Sequence, residues 1–168
     1  MIMKRKNTSC HIDLCSLSPY YANIGKRLTK TPKLYFYDTG LAAYLLGINT
    51  IEQLDVNPLR GNLLENLVVN DFMKYGANRG NNQQLYFYRD KSQREVDILR
   101  IRSNGIEAYE IKSSKTWTPS FFNNLDYLKK VLGERLIRSM VLYDGNQEMP
   151  QGENSYINFR HLNQILSD

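Results

Sequence analysis

Two short segments carry residues suited to chemistry: Glu95-Val96-Asp97 and, further along, Glu110-Ile111-Lys112. A carboxylate on one strand, with carboxylate-x-lysine on the next, is the minimal equipment for holding a divalent cation beside a phosphodiester. Hard cations take oxygen ligands, and the bound metal lowers the pKa of its water. Spacing turns this into a geometric expectation. Residues 95–102 and 106–112 are strand-like runs joined by Ser103-Asn104-Gly105. Asn-Gly between β-rich runs predicts a hairpin with those two residues in the turn, because both tolerate positive φ. In that register Ser103 faces Ile106, Leu99 faces Glu110 and Asp97 faces Lys112. Opposed residues share a face of a sheet, and alternate residues along a strand do too. Asp97, Glu110 and Lys112 are thus expected on one face. A one-residue slip would put Asp97 on the other side. If Asp97, Glu110 and Lys112 splay onto different faces, the catalytic hypothesis built on them fails.

The surrounding elements must position them. A helix over 61–75 has the apolar stripe Leu63, Leu64, Leu67, Val68 and Phe72. Glu65 lies at the stripe's edge and would look along the packed sheet. Asp71 falls nearer its middle, which demands a partner or a different packing. Strands are expected at 34–37, 85–89, 95–102, 106–113, 136–143 and 156–159. Asp38-Thr39-Gly40 starts a short helix that stops at Gly47. Residues 49–60 read as a connector, and 76–84 as a polar loop. Thr118-Pro119 opens a helix with the stripe Phe121, Phe122, Leu125, Leu128 and Leu132. A terminal helix is expected at 160–167. The order from residue 61 is helix, three strands, helix, strand, which predicts a mixed α/β domain with a central sheet. The expected organisation is a basic lead-in with a short helical part (1–60), a core (61–145) and a strand/helix extension (146–168).

Composition excludes several classes. The chain has 168 residues, 42% of them hydrophobic, and a net charge of +5. That is about one domain, leaning towards polyanionic partners. Two cysteines, Cys10 and Cys15, predict reduced thiols in a cytoplasmic protein rather than a disulfide or a zinc site. No apolar signal region follows the basic start, and no run reaches membrane-spanning length. The phosphate-binding pattern G-x-x-x-x-G-K-[S/T] is absent, so no ATP site of that type is expected. His11 and His161 lack a nucleophile partner. Between Asp13 and Asp38 there is no acidic residue, yet Lys26, Arg27, Lys30 and Lys33 fall there, with Tyr20, Tyr21, Tyr35 and Tyr37 interleaved or adjacent. Basic plus aromatic residues suit nucleic acid. The plain alternative is a solvated loop followed by a strand with core aromatics.

The element order αβββαβ, with Glu65, Asp97 and Glu110-x-Lys112, resembles the PD-(D/E)XK restriction-endonuclease-like superfamily. More closely, Pro19 to Gly145 resembles the C-terminal domain of unknown function of a bacterial and archaeal AAA+ ATPase family. The matching text includes Pro19-Tyr20-Tyr21, residues 23–28 (NIGKRL), residues 33–41 (KLYFYDTGL) and Gly61-x-Leu63-Leu64-Glu65-Asn66. It continues through Tyr88-Arg89-Asp90, Glu95-Val96-Asp97 and Glu110-Ile111-Lys112-Ser113-Ser114. Family members carry an N-terminal ATPase with Walker motifs. The lead-in before Pro19 is shorter than that, so the chain is expected to be a truncated product, a fragment or a solitary C-terminal module.

The resemblance implies a nuclease-like fold and, under a nuclease hypothesis, a Mg²⁺- or Mn²⁺-dependent endonuclease acting on DNA. Asp97, Glu110 and the Ile111 carbonyl would ligate the metal. Lys112 would orient or deprotonate the attacking water. Glu65 would reach the metal through water or place a second ion, and Ser113, Lys115 and Arg89 would touch phosphates. A non-catalytic DNA-binding or regulatory module that docks on the ATPase domain is the competing class. The bland readings are an ordinary cross-strand ion pair for Asp97 and Lys112, a turn-stabilising pair for Arg89 and Asp90, and packing for Trp117.

Overall fold

The structure is a computed structural model, and it describes residues 14–20, 31–80, 83–152 and 154–166. Lys26, Arg27, Lys30 and Cys10 lie outside them. Among the described residues seven strands form one mixed sheet: β1 (Leu14–Pro19), β2 (Lys33–Phe36), β3 (Gln84–Arg89), β4 (Glu95–Arg102), β5 (Gly105–Lys112), β6 (Leu136–Tyr143) and β7 (Ser155–Asn158). Their spatial order is β2-β1-β3-β4-β5-β6-β7. The β3–β4–β5 meander is antiparallel, whereas β6 and β7 add in parallel to β5. The helices are α1 (Thr39–Leu45), α2 (Ile51–Val56), α3 (Arg60–Asn78), α4 (Asn123–Leu132) and α5 (Asn163–Leu166). Among the described residues no helix is long and apolar enough to cross a membrane.

The sheet is covered on both sides. Leu64, Val68, Val69 and Phe72 of α3 pack with Phe87, Ile98, Tyr109, Ile111, Met140 and Leu142. Leu125, Leu128 and Leu132 of α4 pack with Val96, Leu99, Ala108, Val141 and Tyr143 on the other side. These two clusters define an α3 face and an α4 face, which decide where each site residue points.

Four features differ from the sequence reading. The first is β1, hidden in the lead-in. Its alternate residues Cys15 and Leu17 are buried, and the strand pairs with both β2 and β3. The second is α2, which fills the expected connector. Thr50 caps it, and Gln53 returns the bond to complete a capping box. Third, α3 buries more than its apolar stripe. Asn66 and Asn70 are buried and satisfy the chain that leaves β2: Asn66 Nδ2 donates to the Phe36 carbonyl at 2.9 Å, and Phe36 N donates to Asn66 Oδ1 at 2.7 Å. This turns the helix so that Asp71 is half-buried rather than central.

The fourth feature is the hairpin. Arg102 pairs with Gly105 and Ile101 with Ile106, so Ser103 and Asn104 are the loop. Neither has positive φ. Gly105 is instead spent on close approach: a Cβ there would lie 2.5 Å from Ile137 Cγ2 and 2.9 Å from the Arg135 carbonyl. The register is two residues from the expected one, which preserves side-chain parity. Parity is broken elsewhere. Tyr86 pairs with Leu99 and Tyr88 with Val96, so Asp97 and Ile98 together oppose Phe87. This is a β-bulge, with one extra residue on β4.

Candidate metal centre

The bulge sets the geometry. Ile98 packs on the α3 face while Val96 and Leu99 pack on the α4 face. The extra residue turns Asp97, and with it Glu95, towards α3. There Asp97, Glu95 and Glu65 offer carboxylate oxygens that all lie within 4.8 Å of one another. Glu65 comes from the second turn of α3, at the stripe's edge as its wheel position implied. On β5 the regular alternation continues. Glu110 pairs with Val141 and Lys112 with Tyr143, both residues of the α4-side core. Glu110 accepts hydrogen bonds from Lys112 Nζ (2.7 Å) and from Asn124 of α4 (3.3 Å). The expected single face for Asp97, Glu110 and Lys112 is therefore corrected. Asp97 stands on the α3 side, and the Glu110–Lys112 pair stands on the α4 side. The Asp97–Lys112 cross-strand pair does not form; Lys112 bonds Glu110 instead.

Asp97 sits where β4 and β5 part. The ladder's last pair is Ile98 with Tyr109, and the Ile111 N–H beyond it donates to Asp97 Oδ2 at 2.8 Å. The carboxylate thus replaces a backbone acceptor at the fork. Burial, then the charges of Glu110 and Glu65, pushes Asp97 up to about 7, against the pull of Lys33 and the Ile111 N–H. Burial likewise raises Glu110, opposed by Lys112 and Asn124. Four carboxylates gather at one end of the sheet, and these shifts register the crowding.

The cation already among them is Lys33. Its Nζ lies 2.7 Å from Glu65 Oε1 and 3.5 Å from Asp97 Oδ1, and it also pairs with Glu95. Tyr35 donates its hydroxyl proton to Glu65 Oε1 at 2.6 Å. Burial opposes the charge on Lys33, but Asp97 and Glu65 hold its pKa above the ordinary value. Against the cost of burial, hydrogen bonds from Arg89 and Lys33 hold Glu95 below the ordinary carboxylate range. Lys33 is only 15% exposed and is committed to carboxylates, so in this arrangement its ammonium is not free for the nucleic-acid contact expected of it. Arg89 pairs with Glu95, not Asp90. Asp90 accepts from the Arg94 backbone at 3.0 Å. Ser113 gives its carbonyl to Arg60, and Lys115 is exposed beside Asp55 at 3.4 Å. Trp117 stacks on Tyr156, as its packing reading implied.

The donor set fits a hard divalent cation. It is all oxygen, carries net negative charge and already accommodates an ammonium. Glu110 Oε2, at the same sheet end, is buried with no hydrogen-bond partner among the described residues. Glu95 stands outside the set of site residues expected from the sequence. The signal was its place two residues before Asp97, on the same side of β4.

Two uncharacterized proteins, from Mycobacterium bovis and from Mycobacterium tuberculosis, are each 33% identical to this chain over 134 residues. The match covers 80% of this chain and 29% of each relative, so the chain spans under a third of the length of these curated relatives. Residues 13–52 match a family described as a domain of unknown function, DUF8612. Residues 60–162, more than half of the chain and all of the site except Lys33 and Tyr35, match another such family, and the chain belongs to it: DUF4143, a domain of unknown function.

Proposed function

We propose that this chain is a divalent-cation-dependent, nuclease-like domain acting on DNA phosphodiesters. In this reading its core is restriction-endonuclease-like, and the domain normally forms the C-terminal part of an AAA+ ATPase. The observation that carries the proposal is the cradle of Glu65, Glu95 and Asp97 at the parting of β4 and β5, with their oxygens within 4.8 Å of one another. A bound Mg²⁺ or Mn²⁺ would act as a Lewis acid and lower the pKa of its water. Asp97 and Glu65 would hold it, while Glu95 is shared with Arg89. Glu110 contributes field from the opposite side of the fork, and Lys112 stays with Glu110 rather than meeting the water.

Calorimetry with Mn²⁺ tests the cradle. Binding at millimolar concentration or tighter is expected for the natural chain, lost in Asp97→Ala and in Glu65→Ala, and kept in Lys112→Ala. Plasmid or branched DNA should then be cut in Mn²⁺ by the natural chain and spared by Asp97→Ala. No metal binding by the natural chain would sink this reading. One observation favours a second reading, a non-catalytic DNA-binding or regulatory module of the ATPase: an ammonium already occupies the cradle. Intact DNA binding without metal uptake or cutting would select it.

A further inference from the structure

We propose that Lys33 is a built-in counter-ion that occupies the cation position of the cradle and must leave it when a divalent cation loads. The inference rests on the cation-binding reading above and goes beyond it, because it makes metal entry an exchange rather than an addition. The ammonium contacts each of Glu65, Glu95 and Asp97. With those oxygens within 4.8 Å of one another, a second cation among them would stand close beside Nζ. Two cations so close in a partly buried site repel strongly. Removing the ammonium while leaving the carboxylates would in turn leave buried charge uncompensated. The two cations are therefore alternatives, each stabilising the same three carboxylates.

The fold gives the lysine somewhere to go. Lys33 is the first residue of β2, an edge strand of the sheet, and the two residues before it are exposed coil. A cavity of about 510 Å³ opens beside it, lined by Leu34, Leu45, Leu46 and Leu59 as well as by Glu65 and Glu95. The flexible stem can lie along these leucines while the ammonium reaches solvent. Arg89 remains on Glu95 through the exchange, so Glu65 and Asp97 are the carboxylates that the departing lysine frees.

Two measurements test the exchange. Lys33→Met keeps the stem's volume and removes the charge; it should bind Mn²⁺ at least about tenfold more tightly than the natural chain, a gain that Asp97→Asn in the same variant abolishes. In the natural chain, labelling of Lys33 by an amine-reactive reagent, read by mass spectrometry, should speed up on Mn²⁺ addition. Should Lys33→Met fail to fold without metal, its refolding by Mn²⁺ and the labelling rate carry the test. Equal Mn²⁺ affinity in the two chains, or slower labelling with Mn²⁺, overturns the exchange and leaves the cradle standing. No Mn²⁺ uptake by either chain overturns both.

Discussion

Asp71 shows how one residue's surroundings become a measurable dependence. Burial raises its pKa, and Lys74 only partly offsets this. A carboxylate raised on folding binds its proton more tightly in the native state than in the unfolded chain. Stability therefore falls as pH rises from the unfolded value near 3.9 through the raised native value. Asp71→Asn removes that loss. Because the residue is only partly buried, solvent screening limits the effect to a few tenths of a kcal/mol. Urea unfolding should find Asp71→Asn slightly more stable at pH 7 and the gain absent below pH 3.5. A gain that persists at low pH would point to something other than this titration.

Elements explain why some of the site was legible and some was not. The spans of β4 and β6 could be read from residue alternation and flanking turn residues, and both stand as expected. The glutamate of α3 was placed correctly because a helical wheel needs only the period of the helix. The bulge at Asp97 and Ile98 left no such trace. An extra residue in a strand alters neither composition nor propensity, yet it inverts the face of everything beyond it. The hairpin misled for a related reason: Asn-Gly favours a turn locally, but Ile137 and Arg135 require glycine at Gly105 from outside the hairpin. Gly105→Ala should accordingly cost about 1–3 kcal/mol, the range for forced overpacking. Ile137→Ala in the same chain should recover only part of this, since the Arg135 carbonyl stays in place. The start of α3 depends on a side-chain anchor. Arg60 donates to the Ser113 carbonyl just beyond β5 and to Asp144 just beyond β6, and lies 3.3 Å from Asp55. Arg60→Ala leaves Asp144 with the more exposed Arg160. A loss of about 1–3 kcal/mol is expected in urea unfolding, the cost of leaving the Ser113 carbonyl without its donor while Arg160 still compensates Asp144.

For the whole molecule, charge is distributed against the site. The chain carries +5 overall, yet four carboxylates, Glu65, Glu95, Asp97 and Glu110, gather at one sheet end against Lys33, Arg89 and Lys112. A polyanion would be repelled from that end unless added positive charge offsets the carboxylates. The global charge would still steer it, through lysines and arginines elsewhere on the surface. These two effects separate in a salt titration. If three phosphates are neutralised, affinity for a short duplex should fall roughly tenfold to hundredfold between 50 and 200 mM salt. Adding Mn²⁺ at fixed ionic strength should raise affinity in the natural chain and leave Asp97→Ala unchanged, because only an occupied cradle gains positive charge at the site. A flat salt dependence would remove DNA as the partner at any metal concentration. A steep one that ignores both Mn²⁺ and Asp97 would place the DNA on another surface, away from the fork between β4 and β5.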